Sequence, residues 1–146
     1  MSEIGFYHLT RSTLIQALPQ LLARTLSAGQ RALVVSGHPD GLEDLNAALW
    51  NQPAWIPHGS AADGDPDLQP VWLSTEATAR NGARFLFLVE NANTDRLSDF
   101  DRVFDLFDGN EPAAVAAARE RWRAAKAAGH SLTYWQQTES GWQKKA

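Results

Sequence analysis

Residues 4–36 read IGFYHLTRSTLIQALPQLLARTLSAGQRALVVS, and the fold class turns on them. Ile4 to Leu9 is a short apolar run rich in aromatics, which predicts a first strand. Leu14, Leu18, Leu21, Leu22 and Leu26 then recur at helical spacing. Thr10 or Ser12 can cap that helix, because a short side-chain oxygen accepts an orphan helix N–H. Pro19 interrupts the pattern, so the helix bends or begins late. Gly29 ends it, and Leu33-Val34-Val35 reads as a buried strand.

The alternation continues beyond Ser36. Asp40-Gly41-Leu42-Glu43 has capping-box spacing, with Leu42, Leu45 and Leu49 following on one helical face. Gly59 to Pro70 is rich in Gly, Pro and Asp and reads as a loop. Val71–Leu73 and Ala83–Val89 read as strands, and Ser98–Phe100 as a brief helix. Val103–Phe107 either continues that helix or forms a strand. Pro112 suits a first helical position, Ala113–Ala128 is the clearest helix in the chain, and Gly129 caps it. Ser131–Gln136 is strand-like, Glu139-Ser140-Gly141 is a turn, and Trp142 returns along an edge. Strands alternating with helices predict an α/β fold, with helices on both sides of a mostly parallel or mixed sheet. The 146 residues fit a single domain, 1–146, and no repeat or linker divides them.

Composition narrows the function. There is no cysteine, which excludes a disulfide framework, a cysteine nucleophile and cysteine-ligated metal. The N-terminus lacks the pattern of a secretory signal, and no apolar run reaches the ~18 residues of a membrane helix. A cytoplasmic location is expected. The net charge of −4 disfavours a general nucleic-acid coat. The charge is unevenly spread. Residues 115–146 hold Arg119, Arg121, Arg123, Lys126, Lys144 and Lys145 against Glu120 and Glu139, an excess of four positive charges.

Enzyme motifs are missing. No P-loop is present, and no GxGxxG follows the first strand. Thr10-Arg11-Ser12 stands where those glycines would be needed, and its Cβ atoms would hold a pyrophosphate off the backbone. Asp63-Gly64-Asp65-Pro66-Asp67 lacks the later ligands of a calcium loop and reads as an acidic, solvated segment. His8, His38, His58 and His130 lack the spacing of a helical metal pair, although His8 and His38 could meet if their strand ends were adjacent. No serine lies in a nucleophile elbow. No catalytic residue, cofactor or metal site is expected.

The last helix is more informative. At about 100° per residue, Ala118, Trp122, Ala125 and Gly129 share a narrow face. Lys126, Arg119 and Arg123 border that face directly, with Trp122 on the boundary, while Arg121 lies away from the stripe. A basic fork beside a ring suits a peptide that is both acidic and aromatic. The same pattern also fits an amphipathic helix whose arginines snorkel. Trp50 and Trp55 stand in a segment punctuated by Pro53 and Pro57. Such rings suit a protein contact; equally, they could cover the open end of the sheet.

Several short pieces occur together in order: Phe6-Tyr7 with Leu9, Ala48-Leu49-Trp50 with Pro53, Pro57-His58, and Ala118-Arg119-Glu120-Arg121-Trp122 through Ala128-Gly129. With them the sequence resembles the chi subunit family of bacterial DNA polymerase III holoenzyme, over nearly its whole length. The resemblance implies a Rossmann-like fold without nucleotide chemistry, in a non-catalytic accessory of the clamp loader. It implies two partners: the psi subunit, and the acidic C-terminal tail of single-stranded DNA-binding protein, which ends in phenylalanine. Arg119, Trp122 and Arg123 match family positions of the tail site, where tyrosine and lysine are frequent in place of Trp122 and Arg123; Lys126 would add a weaker charge. Trp55 matches an aromatic position of the psi-facing surface, with Trp50 close by. The alternatives are a direct single-stranded DNA-binding module that uses the basic helix and stacking tryptophans, and a degenerate nucleotide-binding enzyme.

Overall fold

A strand that is apolar along its whole length needs cover on both faces. Ala32–Ser36 is such a strand up to its closing serine, with every residue buried. The computed structural model describes residues 2–50, 58–60, 69–78, 81–139 and 141–145. In chain order the elements are β1 (Glu3–Leu9), α1 (Leu14–Ser27), β2 (Ala32–Ser36), α2 (Pro39–Trp50), β3 (His58–Ser60), β4 (Val71–Ser74), β5 (Phe85–Val89), β6 (Arg102–Asp108), α3 (Pro112–Ala127), β7 (Ser131–Thr138) and β8 (Gly141–Lys144). A 3-10 turn at Leu97–Asp99 precedes β6.

Among the described residues these strands form one eight-stranded sheet in the order β3-β4-β2-β5-β6-β1-β7-β8. Every pairing is parallel except that of β7 with β8. The chain moves one way across the sheet from β1 to β2 to β3, and the opposite way from β6 over β1 to β7. Right-handed crossovers then require helices on opposite faces. Accordingly α1 and α2 pack on one side with Tyr7, Leu9, Val34 and Leu106, and α3 on the other with Ile4, Phe6, Val103 and Phe107. The period-2 alternation of β1 feeds both cores. The expected α/β class, with helices on both sides of a mixed, mostly parallel sheet, is what the chain adopts. Trp72 is buried, and Trp135 and Trp142 pack around Tyr7, at 6.0 and 5.0 Å between ring centroids.

Local details differ from the sequence expectation. Thr13, not Thr10 or Ser12, caps α1. Its hydroxyl accepts from the Gln16 N–H at 3.3 Å, and the Gln16 side chain accepts from the Thr13 N–H at 2.9 Å. This is a full capping box. The helix then runs through Pro19. Asp40 is not the cap of α2, which begins at Pro39; proline suits a first position, and Asp40 lies in the first turn, where a negative charge is favoured. Gly59 and Ser60 belong to β3 rather than to a loop. Val103–Phe107 is a strand. β1 and β2 are separated by β5 and β6, so His8 and His38 are not at adjacent strand ends. Trp55, Pro53, Pro57 and the acidic run 63–67 lie outside the described residues.

Candidate functional site

The face that α3 turns to the sheet is built from Ala114, Ala118, Arg121 and Ala125. Small residues let a helix approach a sheet closely, and the space they leave is filled by Arg121. Its side chain crosses to Asp105 in the middle of β6. Nε donates at 2.6 Å and Nη2 at 3.0 Å, a bidentate pair. Both side chains are buried, at 8% and 2% exposure. Burial pushes the Asp105 carboxyl above its ordinary value, opposed by the hydrogen bonds and charge of Arg121. Here the sequence expectation was rotated. The buried face takes in Arg121 at one margin and leaves Trp122 at the other flank, because an acidic residue inside an apolar strand requires a partner.

Trp122 therefore sits at the flank of the interface, half-buried, with its ring edge-on to Phe6 at 5.2 Å. That position opens a cavity of about 360 Å³ between α3 and the β6–β1–β7 part of the sheet. Phe6, Phe107, Val115 and Ala118 give it an apolar lining, and Arg119, His8 and Tyr134 supply the polar groups. The volume lies at the small end of ligand pockets, about 300–1,000 Å³. Arg119 and Trp122 are thus brought together as expected. Arg119 is exposed, as a rim charge would be. Arg123 and Lys126 are exposed and do not line the cavity. Arg123 is also engaged by Glu120, one turn back. Trp50 is the last residue of α2, on the sheet face opposite α3.

A family model, that of the DNA polymerase III chi subunit, HolC, matches residues 1–133. The chain belongs to this chi family. Among its relatives, a protein of Rickettsia prowazekii (strain Madrid E) described as a probable DNA polymerase III subunit chi is 22% identical over 109 residues. That match covers 73% of this chain and 66% of the relative, so just under two thirds of the relative's length is spanned. The chi-family match takes in β1, β6 and α3, which supply every residue lining the cavity except Tyr134, one position past its end.

Open α/β sheets bind ligands at the carboxyl ends of their strands. This chi-family chain has a crevice of about 630 Å³ there, but its own side chains occupy the positions a phosphate would need. In the turn after β1, the N–H groups of Thr10, Arg11 and Ser12 converge on one acceptor, Oε1 of Gln137, at 2.9, 2.9 and 3.1 Å. Gln137 Nε2 returns a hydrogen bond to Ser12 Oγ at 2.5 Å. Converging N–H groups of this kind form an anion-binding concavity, filled here by an amide. The crevice is also lined by Asp44, Glu90, Asp108 and Glu111, against Arg11 and His38. Glu90 and Asn91 adopt left-handed φ values of 53° and 62°. Gly41, in the first turn of α2, leaves room for the Glu90 carboxylate, which a Cβ would strike.

Asp105, Gln137, His8 and Tyr134 were not among the expected functional residues. Asp105 was detectable as a lone charge within Val103–Phe107. Gln137 carried no local signal, since its partners lie more than a hundred residues away.

Proposed function

We propose that this chain is a non-catalytic accessory of the clamp-loader assembly, a single domain over residues 1–146 and cytoplasmic. In this proposal it is joined to the loader through the psi subunit and binds the acidic C-terminal tail of single-stranded DNA-binding protein. The observation that carries the tail site is the α3 cavity: an apolar pocket sized for one side chain, with the Arg119 guanidinium at its edge. A terminal phenylalanine ring would enter the pocket while its carboxylate pairs with Arg119. Arg123 and Lys126 would attract the upstream acidic residues from solvent, so that this part of the affinity weakens with salt.

Calorimetry with a tail peptide and with a single-stranded oligonucleotide tests this. Saturable binding of the peptide, with none of the oligonucleotide, is the expected result; the reverse would establish the direct DNA-binding alternative. Arg119→Ala is expected to cost about 1 kcal/mol of peptide affinity, the value for an exposed pair, and less as salt rises. Peptide affinity unchanged by Arg119→Ala and by C-terminal amidation would leave the basic helix as a solvated surface.

Trp50 and Trp55 are proposed to contact psi. The separation of α2 and α3 on opposite sheet faces supports independent surfaces. Trp55→Glu is expected to weaken co-purification with psi and to leave tail-peptide binding unchanged. Crosslinks to psi found only on the α3 face would return both rings to packing.

A further inference from the structure

Beside Arg119 in the α3 cavity stand His8 and Tyr134, with His8 Nδ1 hydrogen-bonded to the Tyr134 hydroxyl. The imidazole is fixed on its other sides as well. It stacks on Phe107 at 4.9 Å and 26°, and meets the Tyr134 ring edge-on at 5.8 Å and 77°. Gly109 closes over its far edge, where a Cβ would strike His8 Cδ2, Nε2 and the Leu9 carbonyl. His8 Nε2 is buried there without a hydrogen-bond partner among the described residues.

A buried N–H with nothing to accept it is costly, more so than a bare lone pair. The environment therefore assigns the ring hydrogen to Nδ1, which donates to the Tyr134 oxygen. The phenol's own hydrogen is then free for another acceptor. Burial raises the Tyr134 hydroxyl above its ordinary value, with the nearby Arg119 charge opposing, so it stays a neutral donor.

We propose that Tyr134 is a second carboxylate-recognising group of this cavity, with His8 as its positioning residue. The phenol O–H donates to the ligand carboxylate that Arg119 also holds. This deepens the tail-peptide reading and rests on it: the ligand is a peptide whose C-terminal carboxylate is attached to an aromatic residue. A guanidinium and an O–H donor together select a carboxylate over a carboxamide, whose NH₂ would meet donors.

The test is calorimetry on the full chain, using a synthetic acidic peptide that ends in phenylalanine, as the free acid and as the C-terminal amide. Tyr134→Phe is expected to weaken the free acid about 3- to 10-fold and to leave the amide unchanged. His8→Phe keeps a ring on Phe107 and removes Nδ1. It should lower the same acid-over-amide preference, and the double variant should lose no more of it than Tyr134→Phe alone. A purely structural role would weaken acid and amide alike, and would overturn the assignment. If Tyr134→Phe preserves the preference while Arg119→Ala reduces it, the assignment fails and the tail site stands. If the unmodified chain binds neither peptide, the tail site fails and the role of Tyr134 fails with it.

Discussion

Asp105→Ala is expected to lower folding stability by about 3–5 kcal/mol, the cost of leaving one partner of a buried ion pair alone. For a chain of this size that is a fall in Tm on the order of 10–20 °C. The guanidinium of Arg121 cannot shed its charge, and although it shares a crevice with Asn93, Thr94 and Asp95, its side chain is only 8% exposed. Arg121→Ala should cost less, because a carboxyl can take up a proton. Burial already raises Asp105, and without Arg121 nothing opposes it. A raised folded-state value means that this group's contribution is fully present below the unfolded value, about 3.9, and is lost as pH rises through the folded value. The Arg121→Ala deficit should therefore narrow in acid. Exchanging both residues, Asp105→Leu with Arg121→Met, should recover most of the loss. Urea unfolding of the four proteins at two pH values checks this. An Asp105→Ala deficit below about 1 kcal/mol, the range of an exposed pair, would contradict the assignment.

Replacing the terminal phenylalanine of the tail peptide by alanine is expected to remove about 1.5–3 kcal/mol of binding, the transfer free energy of a buried ring. This is roughly a 10- to 150-fold loss of affinity. The ring should matter more than any single charge, because Arg119, Arg123 and Lys126 are all exposed. Because the ring is neutral, the alanine peptide should keep the salt dependence of the parent. The heat-capacity change should shrink, since less apolar surface is buried. Titrations of both peptides at two salt concentrations and two temperatures separate these effects. Equal affinity for the two peptides would mean that the α3 cavity receives no side chain.

The sequence carried the fold class because each element announces itself locally. The apolar run Ile4–Leu9, the leucine spacing of α1 and the alanine-rich α3 all lie within short windows. Strand order did not, since it depends on which strands meet across long crossovers. The capping error at Thr10 and Ser12 has the same origin: those residues are engaged by Gln137 from the far end of the chain. At the candidate site, helical phase placed Arg119 and Trp122 side by side but fitted a snorkelling helix equally well; the reading as a tail site came only with the family resemblance. Phase also set Arg121 apart from the basic stripe, but not its burial, because phase says which residues share a face, not which face is buried. The His8–Tyr134 pair was invisible, because it joins side chains on β1 and β7 that become neighbours only when the sheet closes.

β1 lies between β6 and β7, and both are translated long after it. At ~5–20 residues per second, a ribosome needs roughly 5–25 s to supply them. Until β6 is made, Glu3–Leu9 has neither hydrogen-bonding neighbour, and until β7 follows it has only one. β2 pairs with β4 and β5 without any contribution from β1, so a partial sheet can form while the leading strand is still unpaired. A nascent chain stalled before Ser131 would keep one edge of β1 open, which makes the timing of synthesis, and whatever shields that strand meanwhile, part of how this subunit reaches its native state.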